Sequence, residues 1–125
     1  MEEDLDFEMA FYEKLLKRDP HFVWALIPLG EAYTKKGLHE KALEIDRRLA
    51  ELRREDPVVY YNLACSLALL GKEAEAFEAL ERSLQLGFDD LEHLQEDPDL
   101  KELRQDPRFQ SLLLRFQKAS EDPAD

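Results

Sequence analysis

The sequence predicts an all-α protein built from repeated helix pairs, and three observations carry this prediction. Leucine and alanine account for 23 and 12 of the 125 residues, whereas the chain has three valines, two isoleucines and one threonine. Because β-branched residues favour strands, their scarcity argues against a sheet. Helix start and stop signals alternate along the chain, and one segment of it repeats at an offset of 34 residues.

Aspartate–proline pairs mark the predicted helix starts. Aspartate accepts hydrogen bonds from the first free amides of a helix, and proline loses no intrahelical bond at the first position. Four pairs are interpreted in this way: Asp19-Pro20, Asp56-Pro57, Asp97-Pro98 and Asp106-Pro107. A fifth pair lies in residues 120–125, whose small and acidic side chains predict a frayed tail.

Glycines indicate where the predicted helices end, and the spacing of apolar residues indicates which segments are helical. Gly37, Gly71 and Gly87 each follow an apolar helical stretch, where glycine adopts a left-handed backbone without steric cost. Apolar residues also recur at helical spacing through residues 4–18, which predicts an N-terminal helix. Pro28 is expected to kink the first helix of repeat one, since a proline ring crowds the carbonyl one turn earlier.

The internal repeat is the most informative feature of the sequence. Residues 23–56 align with residues 57–90 with seven identities. The matching pairs are Leu29/Leu63, Gly37/Gly71, Ala42/Ala76, Glu44/Glu78, Arg48/Arg82, Leu52/Leu86 and Asp56/Asp90. Glycine falls at each predicted turn, and alanine falls where two helices must approach closely. The repeated unit is therefore predicted to be a helix-turn-helix.

This unit resembles the tetratricopeptide repeat, a 34-residue helix pair. The residues that carry the resemblance are Leu26, Leu29, Gly30 and Tyr33 in repeat one and Tyr60, Leu63, Ala64 and Leu67 in repeat two, with the turn glycines and Ala42 and Ala76. The resemblance implies a right-handed α-α superhelix, or solenoid. It also implies a single domain with the N-terminal helix 4–18, repeats 23–56 and 57–90, and an irregular helical cap over residues 91–119.

The resemblance further implies a function, because such solenoids hold peptides or helices in a concave groove lined by the first helix of each repeat. The positions expected to bind a partner are Trp24, Ile27, Glu31, Lys35, Val58, Tyr61, Cys65 and Leu69. The predicted function is a non-catalytic protein-interaction adaptor. Glu31, Glu92 and Glu96 favour a partner with apolar and basic character. In the alternative that stays open, the C-terminal helix covers part of this strip and Trp24 belongs to the core.

Composition excludes several other classes of function. A net charge of −12 would repel nucleic-acid phosphate and anionic lipid, and no apolar run is long enough to span a membrane. The single cysteine and the absence of a signal-peptide pattern at the start indicate a cytoplasmic protein. The sequence contains no catalytic, metal-binding or phosphate-binding motif. We therefore expect no enzyme activity, metal or cofactor.

A second hypothesis concerns self-association. Phe7 and Phe11 lie off the main apolar stripe of helix 4–18. An apolar face that is left uncovered favours docking of another subunit, so the chain is alternatively predicted to be a structural homodimer. In that case its groove would be filled internally.

Overall fold

A computed structural model describes residues 2–121 of the chain. Within that range seven α-helices follow one another: α1 Glu2–Arg18, α2 Val23–Lys35, α3 His39–Leu52, α4 Pro57–Leu69, α5 Glu73–Gln85, α6 Leu91–Glu96 and α7 Pro107–Glu121. Two short 3₁₀ turns, Pro98–Leu100 and Leu103–Gln105, lie between α6 and α7. The described part of the chain contains no strand, and the predicted all-α fold is confirmed.

Each of the first four helices packs on the next one in the chain, which is the arrangement of a helical solenoid. Helices α2 and α3 form the first hairpin, α4 and α5 form the second, and α3 joins the two by packing on α4. Helix α1 packs on α2, where the Tyr33 hydroxyl donates a hydrogen bond to the Glu13 carboxylate. None of the helices in residues 2–121 is long and apolar enough to cross a bilayer.

The turns repeat as closely as the helices do. Gly37, Gly71 and Gly87 all have positive φ, at 80°, 76° and 110°. After each glycine the next amide bonds back to the carbonyl of the fifth residue before it, as Leu38 N does to Tyr33 O at 2.8 Å and Lys72 N to Leu67 O at 2.9 Å. This bond satisfies a helix-end carbonyl, so the glycines end the helices as predicted.

The aspartate–proline pairs do not all begin helices. Asp56 caps α4, because its Oδ1 accepts hydrogen bonds from the amides of Val58 and Val59. The prediction for Asp19-Pro20 was wrong. Asp19 Oδ1 accepts from His21 N within a turn, and α2 begins later, at Val23. Helix α2 then continues to Lys35 through Pro28.

Two hydrogen bonds of buried polar side chains connect neighbouring helices. Asp46 of α3 accepts a 2.6 Å hydrogen bond from Ser66 of α4. Ser83 of α5 donates a 2.6 Å bond to the Pro57 carbonyl. Because a buried polar group is costly unless it is paired, each of these bonds fixes how one helix packs on its neighbour.

The C-terminal segment is irregular and packs on the second hairpin. Leu100, Leu103 and Phe109 are fully buried, and α7 packs on α5. A 2.7 Å salt bridge between Arg115 and Glu81 adds a contact at this interface. Helix α7 includes residues 120 and 121 of the predicted frayed tail, and residues 122–125 lie outside the described part of the chain.

Candidate functional site

A cavity of about 330 Å³ lies on the inner side of the stacked helices, where the groove was predicted. Helices α2 and α4 form its sides, α3 contributes Asp46 and Leu49, and the segment from His93 to Asp99 forms the remaining wall. Its lining comprises Ile27, Gly30, Glu31, Thr34, Asp46, Leu49, Asp56, Val58, Val59, Tyr61, Asn62, Cys65, Ser66, Leu69, His93, Asp97 and Asp99. The first helices of both repeats thus share one hollow.

The ionisable lining of this cavity is almost entirely acidic. Five carboxylates reach it, from Glu31, Asp46, Asp56, Asp97 and Asp99, and none of the described lining residues is a lysine or an arginine. In a partly enclosed site such charges act together, so the cavity is expected to attract cations and repel anions.

Asp46 is the most unusual of these carboxylates because it is 7% exposed. Its Oδ2 accepts the bond from Ser66, which lowers the pKa, but desolvation by burial is the larger effect and raises the pKa from 3.8 to about 6. Its Oδ1 makes no hydrogen bond to any described residue. Gly30 of α2 lies beside Asp46, and an added Cβ there would lie 3.3 Å from Ile45 Cγ2 and 3.6 Å from Asp46 Oδ1.

Asp97 makes most of the polar contacts in the cavity wall formed by residues 93–99. Its Oδ2 accepts a 2.6 Å hydrogen bond from the Tyr61 hydroxyl, lies 3.7 Å from the Cys65 thiol and 3.3 Å from His93 Nε2. Its Oδ1 accepts from the amide of Asp99. Burial, followed by the nearby Asp97 carboxylate, raises the pKa of the Cys65 thiol well above its ordinary value. Cys65 is therefore a protonated structural thiol at neutral pH and a poor nucleophile.

Cys65, Asp97 and Asp99 form the only group in the described chain whose donor atoms could together approach a metal ion, since these atoms lie within 4.8 Å of one another. Sequence spacing could not identify this group because its members lie on different elements. The Asp97 carboxylate is already used by Tyr61, and the thiol holds its proton. The Asp97 carboxylate and the Cys65 thiol are thus explained by contacts within the protein.

Six of the eight positions predicted to bind a partner line the cavity: Ile27, Glu31, Val58, Tyr61, Cys65 and Leu69. Two of them differ from the expectation of an exposed strip. Tyr61 and Cys65 are buried, because Phe88 stacks on the Tyr61 ring at 4.4 Å and Asp97 bonds to the hydroxyl. The covering comes from the turn after α5 and from the segment around Asp97, whereas the alternative left open by the sequence had the C-terminal helix supply it.

The other two positions, Trp24 and Lys35, are exposed on α2 outside the cavity. Trp24 is 75% exposed and therefore does not belong to the core. Ile27, Val58 and Leu69 are also substantially exposed, at 40%, 54% and 38%. Glu92 and Glu96 are exposed on α6 and do not line the cavity. The open part of the groove is thus an apolar rim above an acidic cavity.

Comparison with known proteins agrees with this architecture. Residues 57–88, which comprise α4, α5 and the start of the following turn, match the family model of the tetratricopeptide repeat. The chain contains a tetratricopeptide repeat. A crystal structure of MamA superimposes on it with a TM-score of 0.65 at 30% sequence identity, over 69% of this chain and 50% of that chain. The tetratricopeptide-repeat resemblance and the solenoid fold predicted from sequence are confirmed.

A further relative is a protein of Arabidopsis thaliana whose name describes it as chloroplastic. It is 32% identical to this chain over 93 residues, covering 72% of this chain and 28% of that protein. The chain thus spans little more than a quarter of this relative's length and half of the MamA chain. A tetratricopeptide-repeat fold is in general that of a protein–protein interaction adaptor, and repeat solenoids of this kind are generally scaffolds without catalytic activity.

Proposed function

We propose that this protein is a non-catalytic adaptor whose groove holds a peptide or helix with apolar and basic residues. The observation that carries the proposal is the combination of exposed apolar residues with an acidic cavity on one concave surface. Large rigid aromatic residues dominate binding energy at interfaces, which favours Trp24 as a main contact. Val58 and Ile27 would extend this contact along the groove.

Charge supports the basic character of the partner. The overall charge of −12 and the carboxylates of the cavity favour encounter with a positively charged segment. The sequence predicted that Tyr61 and Cys65 contact the partner. Because both side chains are buried, their proposed role is to support the wall of the groove. Glu31 and Lys35 remain accessible at the surface of α2.

Selection from a displayed peptide library tests this proposal directly. Peptides selected on the wild-type protein are expected to combine bulky apolar residues with lysine or arginine and to lose most of their affinity for the double variant Trp24→Ala/Val58→Ala. Leu114→Ala is the matched control, because Leu114 is a 62% exposed apolar residue on α7, away from the groove. Selected peptides without basic residues, or with equal affinity for the double variant, would contradict the proposal.

A second candidate function is homodimer formation through α1. Phe7 and Phe11 are 73% and 50% exposed, and they lie on the same helix one turn apart. Sedimentation of the wild-type protein is expected to show a concentration-dependent dimer, and Phe7→Ser/Phe11→Ser is expected to shift it to monomer. A wild-type protein that stays monomeric at high micromolar concentration excludes this candidate.

A cytoplasmic location belongs to the same proposal and is supported by the composition, including the single, buried and unpaired cysteine. The name of the Arabidopsis relative places that protein in the chloroplast. Fractionation of cells that express the tagged chain distinguishes the two locations.

A further inference from the structure

The cavity in the groove contains charges that its own protein does not neutralise. Asp56 and Asp97 are satisfied by hydrogen bonds, the first from two helix amides and the second from Tyr61 and the amide of Asp99. The carboxylates of Glu31 and Asp99, in contrast, accept no hydrogen bond from the side chains and backbone groups that the structure describes. Asp46 is bonded through one oxygen only.

Asp46 is the strongest sign of a missing ligand. A carboxylate that is more than nine-tenths buried is normally paired with a cation or with several hydrogen-bond donors. Its free oxygen, Oδ1, faces the position that a Gly30 side chain would occupy, and both residues line the cavity. Because glycine has no side chain, this oxygen stays accessible to a group that enters from the groove.

The approach to this carboxylate suits a long side chain with an apolar stem. Ile27, Val58 and Leu69 line the same cavity and are exposed at its rim, where methylene groups would pack. The lining of the cavity also includes acceptors on α3 and on the segment around Asp99. A guanidinium group matches several acceptors better than an ammonium group does, since it presents five donors in a plane and is less strongly hydrated.

We propose that the cavity receives one arginine side chain of the partner, with its guanidinium bound by Asp46 and its stem packed against the apolar rim. This inference rests on the proposed adaptor function and specifies the chemistry of its anchor. Asp46 and Gly30 then act together, one as the acceptor and the other as the residue that leaves the acceptor open.

Two small probes test this assignment, and they differ in that a neutral urea group with a carbonyl oxygen replaces the guanidinium group. N-acetyl-arginine amide and N-acetyl-citrulline amide have nearly the same shape, but the citrulline side chain is neutral. In a titration followed by ¹H–¹⁵N correlation spectra, the arginine probe is expected to produce saturable shifts at Asn62 and Ser66. The citrulline and lysine analogues are expected to bind at least about tenfold more weakly, the ratio expected when one charge-assisted hydrogen bond is lost.

Two variants separate the cavity from general surface charge. Asp46→Asn keeps an acceptor for Ser66 and is expected to remove the preference for arginine. Gly30→Ala leaves every charge in place and adds a methyl group 3.6 Å from Asp46 Oδ1 and 3.3 Å from Ile45 Cγ2, so the Ile45 side chain must shift by a small distance. This variant is expected to weaken arginine binding as well. Glu51→Gln is the control, since it removes one exposed charge from α3 outside the cavity. Urea unfolding of each variant confirms that it is folded.

The inference would be overturned if the arginine and citrulline probes bound with equal affinity. It would also be overturned if Asp46→Asn and Gly30→Ala both bound the arginine probe as tightly as the wild-type protein does. A lysine probe that binds as tightly as the arginine probe would overturn the choice of arginine. If the arginine probe fails while selected basic peptides still depend on Trp24, the anchor is wrong and the adaptor proposal stands. If the arginine probe binds but no selected peptide depends on Trp24, the adaptor proposal fails instead.

Discussion

Replacing Asp46 with asparagine is expected to stabilise the protein at neutral pH, although it removes a charged group from a hydrogen bond. The pKa of Asp46 is raised from 3.8 to about 6, because desolvation by burial outweighs the bond from Ser66. Each pH unit corresponds to about 1.4 kcal/mol, so the ionised carboxylate costs the folded state about 3 kcal/mol at high pH. The asparagine amide oxygen can still accept the Ser66 bond. Incomplete pairing of the new NH₂ group makes about 3 kcal/mol the upper limit of the gain.

The direction of the Asp46 pKa shift determines how the stability difference between the variant and the wild type changes with pH. Since the folded pKa is the higher one, the folded state holds the proton more tightly than the unfolded chain does. Below about pH 4 the carboxyl is protonated in both states and carries no penalty. Between about pH 4 and about 6 the penalty grows, and above that range it is constant. The free-energy difference between Asp46→Asn and the wild type should therefore rise with pH and level off above about 6.

Urea unfolding followed by circular dichroism from about pH 4 to about pH 8 measures this difference. Other titrating groups cancel when the variant and the wild type are compared at each pH. Glu51→Gln, on the exposed side of the same helix, should show a difference near zero throughout. If Asp46→Asn is no more stable than the wild type at the alkaline end of this range, or if its effect is independent of pH, the attribution of the raised pKa to burial is wrong.

Three further substitutions test the packing. Gly71→Ala should cost about 1–2 kcal/mol in urea unfolding, because φ is +76° and the strain is in the backbone alone, with no atom close to the added methyl group. Tyr61→Phe should cost about 1–3 kcal/mol in the same assay, since it removes the hydroxyl that donates to the buried Asp97 carboxylate. Phe109→Ala should lower the free energy of unfolding by about 3–5 kcal/mol, because this ring of α7 is 1% exposed. A thermal melt of Phe109→Ala that matches the wild type would contradict the assigned burial.

The elements of the fold were predictable because their signals are local. Gly37 and Gly71 mark the turns, and Ala42 and Ala76, which the repeat alignment predicted at close helix approaches, are both fully buried. The error at Asp19 has a local cause as well: an aspartate before proline caps a turn as readily as it caps a helix. Sequence alone could not decide between the two.

The candidate site was predictable only in part. The register of the repeat placed Ile27, Val58 and Leu69 correctly beside one hollow. It could not show that Tyr61 and Cys65 are covered, because the covering residues Phe88 and Asp97 are distant in sequence. Asp97 was recognised only as a helix start, and the role of Asp46 in the cavity was missed, because burial of a carboxylate depends on contacts between elements.

The Asp97 carboxylate connects the C-terminal segment to helix α4. Asp97 holds the 3₁₀ turn through Oδ1 and α4 through Oδ2, while Arg104 donates a 2.7 Å bond to its backbone carbonyl. The two 3₁₀ turns after α6 are therefore connected by hydrogen bonds to the wall of the groove. A substitution that loosens the 3₁₀ turns should therefore change the dissociation rate of the peptide proposed to bind in the groove, even where the substituted residue does not line the groove.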